Sequence, residues 1–82
     1  MIQLNLINGS FSQQEAIDLL SQLVKTKISF HENKIANSQN EEDIKMREQR
    51  IKQIQLEWEE TRKQLSTTLG RIKINNHVAV EL

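Results

Sequence analysis

Ile44, Ile51, Trp58 and Leu65 stand seven residues apart. Seven residues are close to two turns of α-helix, so these side chains form one narrow stripe along a single long helix. A stripe that narrow cannot bury itself and needs a facing surface. The segment from Ser12 to Ser38 supplies one. There Ile17, Leu20, Val24, Ile28 and Ile35 recur at helical spacing, with His31 in the remaining slot of the series. Leu19, Leu23 and Phe30 widen this apolar face, so the first helix is expected to touch both the second helix and a sheet.

The punctuation agrees with two helices, over residues 12–37 and 40–69. Ser12-Gln13-Gln14-Glu15 fits a capping box, and Phe11 and Ala16 stand where a hydrophobic staple would form. Asn37-Ser38-Gln39-Asn40 is a short polar connection, and Ser38 to Glu41 fits a second capping box. Glu41, Glu42 and Asp43 suit the positive end of a helix dipole. Gly70 is placed to end the second helix in a left-handed conformation. Glu41/Lys45, Asp43/Arg47, Glu48/Lys52 and Glu59/Lys63 are acid-before-base pairs that would support it. A short loop makes the helices antiparallel. The stripes then pair Ile35 with Ile44, Ile28 with Ile51, Val24 with Ile54 and Leu20 with Trp58, and His31 faces Arg47 and Glu48.

The ends of the chain carry the other period. Ile2, Leu4 and Leu6 alternate with Gln3 and Asn5, which predicts a strand over residues 1–8, broken by the turn-tolerant Asn8-Gly9-Ser10. After Gly70, Ile72, Ile74, Asn76, Val78, Val80 and Leu82 alternate without a phase break. A hairpin turn at Asn75-Asn76 would put Val78 and Val80 on the face opposite Ile72 and Ile74. One strand over residues 71–82, bulged at the Asn pair, keeps every branched residue on one side. The expected fold is therefore α+β, a single β-α-α-β domain whose antiparallel helical hairpin is flanked by two paired antiparallel terminal strands.

Leu, Ile, Val and Phe make up 24 of the 82 residues, enough to drive folding, yet a chain this short has a thin core. With no Cys for a disulfide and two His for a metal, oligomerisation is the way to add buried surface. Two strands also leave long unpaired edges with Lys73 as their one lysine. A homodimer joined through those strand edges is expected. The N-terminus has no basic start followed by an apolar run, so a cytoplasmic location without a secretory signal is expected.

Eleven basic residues balance eleven acidic ones, which disfavours nucleic acid as a partner, since duplex binders present a basic face. His31 is the one chemically distinctive seam residue, as a general base, a pH switch or a part-buried structural His bonded to Glu48 or a carbonyl. No Ser, Cys or second base accompanies it, so the structural role is expected. His77 lies on the polar face of the last strand without metal-ligand spacing. Glu57, Glu59 and Glu60, like Glu41, Glu42 and Asp43, are interleaved with Lys and Arg as on a solvated helix face. Trp58 is expected in the core rather than as an exposed binding aromatic. Arg50, Lys52, Arg62 and Lys63 lack interleaved aromatics and are matched by Glu. No catalytic, cofactor-binding or metal-ligating residue is assigned.

The run Ile7-Asn8-Gly9-Ser10-Phe11-Ser12-Gln13-Gln14-Glu15-Ala16, with Leu19-Leu20 and then Lys27-Ile28-Ser29-Phe30-His31, resembles a group of short uncharacterised bacterial proteins. They share a Gly-x-Phe-Ser/Thr-x-x-Glu-Ala helix start, a Lys-Ile-x-Phe-His segment, a charged second helix and an alternating C-terminus. The resemblance implies an intracellular bacterial protein and brings no activity with it. A non-enzymatic homo-oligomeric structural or interaction module is the expectation. The alternative is a small regulator binding nucleic acid or a larger protein through the charged second helix.

Overall fold

A computed structural model describes all residues from Met1 to Leu82. Its order is β1 (Ile2–Phe11), α1 (Gln13–Ala36), α2 (Glu41–Thr67) and β2 (Ile72–Val80), with the two strands paired antiparallel in one sheet. The fold is α+β, as the two periods require. No helix is long and apolar enough to cross a membrane.

α1 begins where the capping box puts it. The Ser12 hydroxyl accepts from the Glu15 amide at 3.1 Å, and the Ser12 amide donates to the Glu15 carboxylate at 2.9 Å. The Ser12 amide, and after it the Ser12 side chain, hold the Glu15 carboxyl below its ordinary 4.5. Ala16, at the staple position, is fully buried.

The expected cap of α2 is corrected. Asn40 is the N-cap, its side chain accepting from the Asp43 amide at 3.0 Å, while the Ser38 hydroxyl accepts from the Asn40 amide at 3.2 Å. An Asn one residue before the acidic turn caps as well as Ser, and the connection then runs over residues 37–40. Gly70 has the expected left-handed conformation, φ 89°, but α2 stops at Thr67 and Thr68 is already extended. Threonine hydroxyls close the helix instead: those of Thr67 and Thr68 donate to the Gln64 carbonyl at 3.1 and 2.7 Å. Gln13, at the start of α1, donates across the open end of the hairpin to the Leu65 carbonyl. Of the four expected acid–base pairs only Asp43 and Arg47 form an ion pair, at 3.2 Å.

The strand ending at residue 8 is also corrected. β1 continues through Asn8-Gly9-Ser10 to Phe11, opposite Asn75, Ile74, Lys73 and Ile72. The ladder slips between Asn5 and Ile7, so the bulge lies on β1, at Leu6, facing the step from Asn76 to His77, rather than at the Asn pair of β2. The reason is readable in the chain. Ile2 and Leu4 occupy even positions, whereas Ile7, Gly9 and Phe11 occupy odd ones. One extra residue restores a common face, so that Ile2 and Leu4 stand opposite Val80 and Val78, and Phe11 opposite Ile72.

That face is unevenly covered. Ile7 is buried, and Gly9, Phe11, Ile72 and Ile74 are part-buried where the ribbon meets α1. Toward the chain termini the same face is open: Ile2 and Leu4 are each 52% exposed and Val78 and Val80 each 37%.

Candidate functional site at the helical seam

The stripes that define the hairpin place Ile17, Leu20, Val24, Ile28 and Ile35 of α1 and Ile44, Ile51, Ile54, Trp58 and Leu65 of α2 all at partial burial. His31 is more deeply covered than any of them, at 8% exposure. Its partner is Arg47 rather than Glu48 or a carbonyl. The Arg47 Nη1 lies 3.2 Å from His31 Nδ1, and the Arg47 Nε donates to Asp43 Oδ2 at 3.2 Å.

This chain of bonds fixes the protonation of the ring. A guanidinium can only donate, so Nδ1 must accept and the proton of the neutral ring resides on Nε2. Nε2 is itself buried and meets no acceptor. Burial pushes the His31 pKa below its ordinary 6.5, and the positive charges of Lys27, Arg47 and Arg50 push the same way. The Phe30 ring stands edge-on at 5.8 Å, and Lys27 and Lys34 each place an ammonium within 6 Å of it. The assembly therefore holds a neutral imidazole with one nitrogen occupied and the other enclosed. A base needs a lone pair aimed at a substrate, and here that lone pair is spent on Arg47.

Trp58 is half-buried instead of being sealed in a core. It floors a shallow groove along the seam with Ser21, Val24, Ile28 and Arg62. His77 is exposed on the ribbon, opposite Asn5. No three His, Asp or Glu side chains converge on one point. Along α2, Lys52, Arg62 and Lys63 are exposed beside the equally exposed Glu57, Glu59 and Glu60, so neither sign dominates. The Arg47 bond to His31 was within reach of sequence reasoning, which placed these two side chains face to face. The choice of Arg47 over Glu48 follows from Asp43, one turn upstream, which holds the guanidinium in place.

Comparison with known proteins gives no matching family model, no matching curated sequence and no matching solved structure.

Proposed function

We propose that this chain is a non-enzymatic structural or protein-interaction module that works as a homodimer joined through its strand edges. The amount of surface left in water carries the reading. A compact 9.6 kDa chain exposes about 5,100 Å², whereas this one exposes 6722 Å². The excess of about 1,600 Å² is twice the roughly 800 Å² that each partner contributes to a standard interface. Its radius of gyration, 15.3 Å, likewise exceeds the roughly 11.7 Å of a compact chain of this length. Only Ile7, Ala16 and His31 are buried, and no large side chain is fully enclosed. Helices and sheets gain stability by closing apolar faces against a second layer. Here the ribbon's open face and free edges await one, and a second copy supplies both at once.

Light scattering coupled to size exclusion tests this at micromolar concentration. The proposal expects the mass of two chains. The mass of one 9.6 kDa chain, unchanged on concentration, would overturn it.

A further inference from the structure

The geometry points to one pairing for that dimer: β2 against β2 of a second copy, antiparallel, about a two-fold axis passing through Asn76. The inference rests on the homodimer reading above and adds the strand and its register.

Each strand of a two-stranded ribbon has one free edge. On β1 that edge is interrupted, because the bulge at Leu6 breaks the regular sequence of amides and carbonyls. β2 carries no extra residue over its nine positions and has one lysine, Lys73, near its start. It is the better template.

The register follows from its sequence. With Asn76 opposite its own equivalent, Ile72 faces the partner's Val80 and Ile74 faces the partner's Val78. Every branched residue then meets a branched residue on the same face. Sliding by one residue would set this apolar face against the polar one. Sliding by two would set Asn76 opposite Ile74 or Val78, leaving an amide against a hydrocarbon. In the chosen register the two Asn76 amides face each other, each able to donate to and accept from the other. Just past the end of the strand, Glu81 comes diagonal to the partner's Lys73, while Arg71 stays bonded to Ser10 of its own β1. Within one chain neither Glu81 nor Lys73 makes an ion pair, so these charges are free to meet.

The pairing also answers the uneven coverage of the ribbon. Val78 and Val80 of each copy, open to water in the single chain, are carried alongside Ile74 and Ile72 of the other, where the ribbon is part-buried against α1. A four-stranded sheet results, with the two continuous strands at its centre and the two bulged strands at its edges, where bulges belong.

A cysteine at the axis tests this directly, since the chain has none of its own. Directly opposed residues in an antiparallel pair lie about 4.5–5.5 Å apart at Cα, inside the roughly 4.4–6.8 Å span of a disulfide. Asn75, one position away, is diagonal to its own equivalent at about 7–8 Å, outside that span. Both side chains are exposed, so Asn76→Cys and Asn75→Cys are expected to fold. In oxidised glutathione, Asn76→Cys is expected to become a covalent two-chain species at least about tenfold faster than Asn75→Cys. Equal rates in a protein whose unoxidised mass is two chains would overturn the register and leave the homodimer intact. A one-chain mass before oxidation would overturn both.

Discussion

Arg47 donates its Nη1 proton to Nδ1 of His31 across the helical seam, at 3.2 Å, and so holds a buried imidazole neutral. The other ring nitrogen is enclosed without a partner. An unpaired buried donor costs free energy, roughly 1–3 kcal/mol, whereas an apolar side chain of similar size would not. His31→Leu is therefore expected to keep or raise the melting temperature, with Arg47 still held by Asp43. A fall of more than about 4–8 °C, near 1 kcal/mol for a domain of this size, would show that the imidazole holds the seam together.

The same residue sets a pH dependence. The folded protein favours neutral His31, so its pKa lies below the ordinary 6.5 that the unfolded chain keeps. Between those two values the unfolded state binds more protons, and stability rises with pH. Melting temperature should be flat above pH 6.5 and fall as the pH drops below it. Glu15, also depressed from its ordinary 4.5, adds a second loss below that value by the same sign. Thermal melts across pH 4–7 should show His31→Leu losing the first fall and keeping the second. An unchanged profile in that variant would refute the assignment.

Gln13 joins the two open ends of the hairpin, donating to the Leu65 and Thr68 carbonyls at the end of α2. Gln14 beside it bonds only to Asp18 on its own helix and is exposed. Gln13→Ala is expected to cost about 0.5–1.5 kcal/mol, and Gln14→Ala a few tenths at most. Denaturant melts of the two variants check this. Equal losses would mean that the crossing bond contributes nothing.

The bulge at Leu6 makes one residue of β1 dispensable. Removing Leu6 leaves Ile2, Leu4, Ile7, Gly9 and Phe11 in one unbroken alternation, so a regular ladder can form. Removing Asn8 takes out the same one extra residue, and Leu6 then stands in Ile7's place in the alternation Ile2, Leu4, Leu6, Gly9 and Phe11. Both deletions are therefore expected to fold with a cooperative melt. Circular dichroism of both would decide, and loss of the cooperative melt in the Leu6 deletion would contradict the proposed face.

The two helices and the continuous last strand were legible because their signals are periodic over many residues. The stripe through Ile44, Ile51, Trp58 and Leu65 could belong to nothing but a helix with a partner. The first strand was misread at a turn signal. Asn8-Gly9-Ser10 tolerates a turn but does not impose one, and nine paired positions opposite β2 outweigh that preference. The signal for its true course was the adjacent pair Leu6-Ile7, where the apolar phase changes from even to odd. At the seam, sequence placed His31 against Arg47 and Glu48 but could not choose between them, because the choice depends on Asp43 orienting the guanidinium. The half-open setting of Trp58 was hidden for a different reason: periodicity tells which side chains share a face, not how well that face is covered.

The central claim, that this chain is completed by a second copy of itself, is tested most directly by melting the protein at several concentrations. If folding and pairing are one event, each tenfold rise in concentration adds about 1.4 kcal/mol and lifts the melting temperature by roughly 3–6 °C. The account predicts that rise from one to one hundred micromolar. A melting temperature that stays constant over the same range would contradict it.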